Sequence, residues 1–407
     1  MYIDLKVYKI YNSNYIFLTR ESLCVSIKMS RLDRLSRLNI LCIGDVHIQT
    51  NNTTDIKLFM NKLEKYINQN NENIDLIILM GDILHTHERL HTIPFNIANE
   101  LFNNLSKLKP LYVLVGNHDY INNSQFLSQN HWMNCFKNEN NNINIIDTVL
   151  HLNINSKNIV LSPYVSDGKF TQALDTINEN FDWKKADCIF GHQLLDGVKM
   201  GAILTENVEK WGNTYPLLVS GHIHDKQKPQ DNLYYTGSCM QHAFGESSDK
   251  TICLVSICND SIPQINEINL DLPQKKILYY DIEELESLQG DIETNTELNK
   301  VLFLLENKNI HYKITISGNF EQFKLFKKNP VFVKLQKNGT KIVFKNKLTD
   351  ILNKKHLIKN TDSDNFKDIL LELIDNNNNH QNGLKQIYNQ FYNVNNIYNN
   401  KQIELIE

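Results

Sequence analysis

No cysteine pair with CxxC spacing occurs in this 407-residue chain, and its seven cysteines follow no disulfide-like spacing. That argues against a disulfide framework and fits buried thiols in a reducing, intracellular compartment, cytoplasmic or nuclear. No apolar run reaches the length of a membrane span, and no apolar signal segment opens the chain, so neither insertion nor export is expected. A basic excess is missing too: the net charge is -4, which does not mark the chain as a whole as a polyanion binder. What is present is 41% hydrophobic residues over a length sufficient for two or three domains. Asn-rich patches at 138–144, 376–379 and 393–400 are low-complexity loop material.

The chain is organised around LYVLVGNHDY at 111–120. Its first half is an apolar, β-prone run that reads as a buried strand, and Asn117, His118 and Asp119 follow Gly116 at once. LNILCIGDVH ends the same way in Asp45 and His47, and IDLIILMGD in Asp82. The glycine before each polar group is expected to turn the chain sharply and bring its backbone close to whatever is bound. Three buried strands delivering ligand-type side chains at their carboxyl ends describe a metal site at a sheet edge. Between them the pattern predicts a helix from about residue 54, capped by Thr53 or Thr54, with Ile56, Phe59, Met60, Leu63 and Ile67 on one face. A second helix is expected near Pro94, which completes a parallel βαβαβ unit.

Further on, a helix is expected from 124 to about 136, then strands at 143–146, 149–154 and 159–161. Two more strand ends, CIFGH and LLVSGHIH, bring His192, His222 and His224, and LYYTGS and TICLVSI read as additional strands. The first domain is assigned to 38–272, and 1–37, with hairpin-like MYIDLKVYKIYNSNYIFL, to an extension outside the core. A smaller α/β unit occupies 273–350: a strand in KKILYYDI, a helix around 297–306, a strand in HYKITISG, and a hairpin in VFVKLQKNGTKIVFKNK about Asn338-Gly339. Residues 351–407 are expected to be a C-terminal helical segment, with two short amphipathic helices over 362–395.

Asp45, His47, Asp82, Asn117, His118, His192, His222 and His224 offer oxygen and imidazole donors without thiolate, which suits manganese, iron or zinc over calcium. They exceed what one ion needs and fit a pair about 3.5–4 Å apart, bridged by a carboxylate from the central strand, Asp82. The motifs D-x-H, GD, GNHD, GH and GHxH, in this order from Asp45 to His224, resemble the calcineurin-like metallophosphoesterase superfamily. The resemblance implies an α/β four-layer sandwich, with two mixed sheets between helix layers. It places one metal on Asp45, His47, Asp82 and His224, and the other on Asp82, Asn117, His192 and His222. His118 is left uncoordinated beside the substrate, either as general acid to the leaving alkoxide or as a residue that orients Asn117. Asp119 reads as a brace for its loop.

Three features point toward DNA. GDILHTHERLH carries His85 three residues after Asp82, where phosphoprotein phosphatases have GDxxDRG. This is similar to the SbcD-like double-strand-break-repair nucleases, in which that histidine supports the general acid; His87 and His91 read as solvated helix-start residues. The order GHQLLDG, SGHIH, YYTGS and a long C-terminal region also resembles SbcD and the nuclease subunit of T-even phage recombination endonuclease, whose small capping domain contacts DNA. Third, 300–359 holds fourteen lysines against Glu306, Glu321 and Asp350, an excess of eleven that leaves about -15 on the rest. Lys324, Lys327, Lys328, Lys334, Lys337 and Lys341 are the candidates for contact with a nucleic-acid backbone, a solvated lysine face being the competing reading.

Phe366, Ile369, Leu370, Leu373 and Ile374 line one C-terminal helix face; Leu384, Ile387, Tyr388, Phe391 and Tyr392 line another. Either these faces pack on the protein's own body or, as the resemblance implies, they dock on the coiled-coil base of an SbcC-like SMC-family ATPase. Dimerisation through helices of the catalytic domain is likewise implied. The expected activity is that of a manganese-dependent DNA nuclease in double-strand-break repair or recombination. Its rivals are a small-molecule phosphodiesterase or phosphatase with the same metals, and a non-catalytic scaffold for the ATPase.

Overall fold

Leu38, Ile40 and Cys42 are buried on one side of the first core strand and Leu41 and Ile43 on the other, so its apolar run is continuous because both faces are covered. The computed structural model describes residues 6–7, 17–18, 37–283 (apart from 88, 138–141, 178–180, 202 and 260), 309–337, 341–346 and 374. Lys6–Val7 pairs antiparallel with Phe17–Leu18, the hairpin expected of the N-terminal stretch.

The first half runs β1 (Arg37–Ile43), α1 (Thr53–Gln69), β2 (Leu76–Leu79), α2 (Thr92–Leu108), β3 (Leu111–Leu114) and β4 (Ile143–Ile146), with the four strands parallel. All five predicted apolar positions of α1 are buried, each contributing roughly 1.5–3 kcal/mol by leaving water. Neither Thr53 nor Thr54 caps that helix. Asn52 occupies the cap position without a capping bond, because its side chain is already committed: it accepts from Gln49 N–H at 2.8 Å and donates to the His47 carbonyl at 2.9 Å. The helix expected over 124–136 is a single 3₁₀ turn, Trp132–Phe136, whose aromatics pack on Phe95 and Phe102 of α2.

The chain then builds a second sheet: β5 (Leu150–Ile154), β6 (Lys157–Leu161), the short α3 (Phe170–Leu174), β7 (Cys188–Gly191), a two-stranded ribbon β8 (Lys199–Met200) and β9 (Ile203–Leu204), then β10 (Leu218–Ser220), β11 (Gln227–Gln230) and β12 (Leu233–Tyr235). β13 (Ile252–Cys258) and β14 (Gln264–Ile268) return to the first sheet. The orders are β14-β13-β1-β2-β3-β4 and β11-β12-β10-β7-β6-β5, both mixed. Leu38, Ile78 and Leu114 meet Leu161, Phe190 and Val219 between the sheets. α1 and α2 cover the outer face of the first sheet; α3 and a cluster around Trp183 and Trp211 cover that of the second. This is the mixed α/β two-sheet sandwich expected, with loops and aromatics replacing most of one helix layer.

A separate three-stranded parallel sheet follows: β15 (Gln274–Asp281), β16 (Ile310–Gly318) and β17 (Lys341–Asn346), with α4 (Phe320–Phe326) and α5 (Pro330–Lys337) before β17. The predicted hairpin is therefore wrong, since Pro330–Lys337 is helical. Pro330 suits a first turn, Phe332 and Leu335 three residues apart bury on one face, and parallel β16 and β17 need a crossover that a tight turn cannot supply. The predicted helix around 297–306 lies outside the described residues. So do the C-terminal helix pair apart from Ile374 and, with it, Leu384, Ile387, Tyr388 and Phe391.

Candidate metal centre

The loops leaving β1 and β2 stay side by side beyond the strand ends: His47 N–H donates to Asp82 O at 2.9 Å and Ile48 N–H to Ile83 O at 2.8 Å. That brings Asp45, His47 and Asp82 together at the carboxyl edge of the first sheet. The β7 and β10 loops of the second sheet add His192, His222 and His224. Asp45, His47, Asp82 and His222 all have positive φ (31°, 44°, 51° and 82°), strained backbone for non-glycine residues that the surrounding structure must hold in place.

The glycines serve a different end from the one their position suggests. A Cβ on Gly116 would lie 2.2 Å from both the backbone nitrogen and Oδ1 of Asp82, and one on Gly81 (φ 104°) 2.5 Å from His192 Nδ1. They make room for the ligand loops to touch one another, and the approach to a bound group follows from that.

Three donor groups result, two of which include a carboxylate, while the third is His47, His85 and His118. Asp45, His47 and His224 form the first and Asp82, His192 and His222 the second, each with donor atoms within 4.8 Å of one another. Asn117 Oδ1 joins the second at 3.0 Å from His192 Nε2 and 2.9 Å from His222 Nδ1. Asp82 lies between them, Oδ2 3.5 Å from His47 Nε2 and Oδ1 3.3 Å from His192 Nε2. Asp45, His47, Asp82 and His192 are at most 2% exposed.

The donor chemistry fits cations. His192 gives its Nδ1 hydrogen to Met80 O at 2.7 Å, and His224 gives its own to Glu246 Oε1 at 3.1 Å. Each Nε2 then presents a lone pair, and His224 Nε2 faces His47 Nε2 at only 2.9 Å. A proton shared between the two nitrogens, or a cation held by both, satisfies this contact. From the side chains alone, burial opposes ionisation of Asp82, but His192 and His47 overcome it and hold its carboxyl well below the usual range. Burial likewise opposes charge on His192, yet Asp82 and Asp45 lift it to about 9, while burial and the neighbouring His192 push His222 down to about 3. A divalent cation held there would compete with the proton for His192 Nε2.

His118 belongs to neither carboxylate-bearing group but to the third, with His47 and His85. Its backbone N–H donates to Asp82 Oδ1 at 2.9 Å and its Nδ1 to the His85 carbonyl at 2.7 Å. His85 stacks on it (5.3 Å, 9°) and sets Nδ1 3.3 Å from His47 Nδ1, joining the first donor group through His47. His87 is not the solvated residue expected: it stacks on His118 at 4.7 Å and 18°, with Nδ1 3.2 Å from Tyr120 O. His91 sits exposed at the start of α2 and makes no capping bond. Asp119 accepts from the N–H groups of Ile83, Leu84 and Gly116 and from the Trp132 indole, which ties the β2 and β3 loops together.

Four supporting residues escape sequence reasoning. Asn52 holds the His47 carbonyl; His242 donates to Asp45 O at 2.8 Å; Glu246 orients His224; and Tyr164 stacks on His222 at 5.9 Å. None lies in a ligand motif, and only the fold brings them to the site. Of the predicted lysines, Lys324, Lys327, Lys328 and Lys341 are exposed on the small domain, and Lys334 and Lys337 lie on α5.

A sandwich that gathers carboxylate, amide and imidazole donors at its strand ends defines a metal-dependent hydrolase. Residues 38–226 match the family model described as Calcineurin-like phosphoesterase. The chain is 43% identical over 297 residues to "Putative phosphoesterase 244L" of Invertebrate iridescent virus 6, across 73% of this chain and 100% of that protein. It is 38% identical over 318 residues to "Putative phosphoesterase 078R" of Invertebrate iridescent virus 3, across 78% and 87% respectively. The chain belongs to the calcineurin-like phosphoesterases. Among solved structures, one titled "GAP50 the anchor in the inner membrane complex of Plasmodium" is similar at TM-score 0.35 and 14% identity, over 58% of this chain and 85% of that one. No helix among the described residues is long and apolar enough to cross a membrane.

Proposed function

We propose that this phosphoesterase is a DNA nuclease that cuts phosphodiester bonds with two metal ions and His118 as general acid. It would serve as the nuclease subunit beside an SbcC-like SMC-family ATPase in double-strand-break repair or recombination. The observation that carries the reading is the placement of His118 against Asp82 and His47, outside both carboxylate-bearing donor groups. With Nδ1 donated to the His85 carbonyl, Nε2 is the nitrogen that presents a proton to a departing alkoxide. Two divalent cations, manganese in this reading, held by Asp45, His47, Asp82 and His224 and by Asp82, Asn117, His192 and His222, would supply an ionised water and neutralise phosphate oxygens.

The choice of DNA is supported by the small domain. Lys327, Lys328 and Lys341 are exposed and have no carboxylate partner among the described residues, whereas Lys324 pairs with Glu321 at 2.8 Å. β15 fastens this domain beside the metal centre: Lys275 N–H donates to Gln241 Oε1 at 2.7 Å, one residue from His242. These lysines would supply the electrostatic affinity for a polyanion.

Purified protein with manganese, a labelled DNA duplex and a nitrophenyl phosphodiester make the test. Both substrates should be cut. Changing Lys327, Lys328 and Lys341 to Glu should weaken DNA binding and reduce its log–log salt slope by about 0.9 for each phosphate no longer neutralised, sparing the small diester. Hydrolysis of the nitrophenyl ester with DNA untouched would favour a small-molecule phosphodiesterase. For the ATPase, replacing Leu384, Tyr388 and Phe391 with Ser should remove stimulation by the partner and leave basal nuclease activity; retained stimulation would reject the docking role.

A further inference from the structure

A cavity of about 560 Å³ joins the metal centre to a part of the chain that none of the motifs covers. Asp82, Asn117, His222 and His224 form its floor, and Lys199, Met200 and Gly201 of the β8–β9 ribbon form a wall. A phosphate fills only a small part of such a space, which lies in the range of roughly 300–1,000 Å³ that encloses drug-sized ligands. The metal-ligand motifs account for the floor but not for the volume above it.

The ribbon is short and exposed, yet fixed at its root. Lys199 N–H donates to Gln227 Oε1 and Gln227 Nε2 donates back to Lys199 O, both at 2.9 Å, an amide clamp onto β11 of the second sheet. Below it, Thr205 N–H donates to Val198 O at 2.8 Å and Val198 N–H to Thr205 Oγ1 at 2.9 Å. Thr205 Oγ1 also donates to Leu195 O at 2.7 Å. These bonds hold the backbone of Lys199 and Met200 at the rim. Lys199 has no carboxylate partner among the described residues, and Met200 is 46% exposed in the lining of the same cavity. A free ammonium and an exposed thioether lining the same cavity as the donor residues match the two halves of a nucleotide. The ammonium suits a phosphate oxygen as a point charge, and the polarisable sulfur suits the face of a planar ring.

We propose that Lys199 and Met200 form the subsite for the nucleoside arm of the phosphodiester, Met200 packing on the base and Lys199 pairing with phosphate oxygens. This rests on the diesterase reading above and deepens it by naming the residues that would hold the nucleoside beside the scissile phosphate. Ile203 is 71% exposed and outside the cavity lining, which makes it a control on the same ribbon.

Two esters that share the broken bond separate the subsite from the chemistry: nitrophenyl thymidine phosphate and nitrophenyl methyl phosphate. With the full chain and manganese, Met200→Asp should raise KM for the thymidine ester about tenfold while the methyl ester stays within about twofold, the discrimination a single pocket residue supplies. Lys199→Ala should weaken the thymidine ester in the same selective way. Calorimetric binding of thymidine monophosphate should weaken in both variants, and Ile203→Ser should bind and react as wild type. Equal losses on the two esters, no loss on the thymidine ester, or a matching loss in Ile203→Ser would overturn the subsite. If wild type hydrolyses neither ester, the diesterase reading fails. The binding arm then still decides the subsite, upheld if Met200→Asp loses thymidine monophosphate and rejected if it does not.

Discussion

Two parallel strand edges in this molecule have the same geometry and opposite chemistry. The carboxyl ends of β1, β2 and β3 run into Gly44-Asp45, Gly81-Asp82 and Gly116-Asn117, whereas β15, β16 and β17 end at Asp281, Gly318 and Asn346. Among the described residues, nine non-glycine positions have positive φ; Asp45, His47, Asp82 and His222 are four of them, and none falls between 274 and 346. Each such position costs of order 1–3 kcal/mol, so the first edge stores strain and buried charge that the second avoids. The small domain instead buries Phe323, Phe326 and Phe332 against Ile314 and Ile316 and leaves Lys324, Lys327, Lys328 and Lys341 exposed. A parallel sheet thus supplies an edge, and only the loops grafted on it make a site.

The largest effect should come from removing the charge on which the strained edge converges. Asp82→Asn takes away the carboxylate between the two carboxylate-bearing donor groups, and hydrolysis of a nitrophenyl diester should fall by about 10²–10³-fold or more. Elemental analysis should show metal lost from both positions. Asp281→Asn, at the strand end of the small domain, should leave the rate and metal content unchanged. Two manganese ions retained by Asp82→Asn would remove it from the bridge.

His118→Ala comes next. With an alkyl leaving group, as in DNA, the rate should drop by about 10²–10⁴-fold, the usual contribution of a positioned acid. A nitrophenolate needs no proton to leave, so that ester should be much less affected, with two metals still bound. Equal loss on both substrates would make His118 an orienting residue for Asn117.

The contrast between the two edges also explains what the sequence made legible. Glycine followed by Asp, Asn or His after an apolar run is a local signal, so the three β-edge motifs and their sheet could be read directly. The helix in Pro330–Lys337 was misread because VFVKLQK alternates as a strand would; its burial of Phe332 and Leu335 follows from a crossover between parallel strands that local pattern does not encode. The supports were illegible for a related reason. Glu246 meets His224 across twenty-two residues and His242 meets Asp45 across almost two hundred, so no spacing rule links them. His87 failed in the opposite way, being close in sequence to His85 but ordinary in type until the fold stacks it on His118.

That stack gives a smaller, separable prediction. His87→Ala should slow hydrolysis of an alkyl ester about tenfold, at the low end of what misplacing a reacting group costs, with KM and metal content unchanged. His87→Phe keeps a flat ring against His118 and should recover most of the rate. A Phe variant as slow as the Ala variant would mean that the bond to Tyr120 O, rather than stacking, sets the position.

The smallest effect concerns charge that supports the metal edge from behind. Burial opposes ionisation of Glu246, but the His224 Nδ1–H at 3.1 Å, the His242 N–H at 2.9 Å and the Lys250 ammonium at 3.5 Å overcome it and hold the carboxyl at about 2 instead of 4.5. A carboxylate depressed on folding contributes stability that is present above its unfolded value and lost as pH falls through the folded one, here from 4.5 to 2. Metal-free Glu246→Gln should therefore melt a few degrees below wild type at neutral pH, and the gap should close as the pH is lowered across that window. Glu321, exposed on the small domain and paired with Lys324, offers the comparison: Glu321→Gln should melt with wild type at neutral pH, because exposed ion pairs contribute little. A Glu246→Gln gap that persists unchanged at pH 2 would mean the side chain acts there by shape alone, and that the metal edge does not draw stability from this charge.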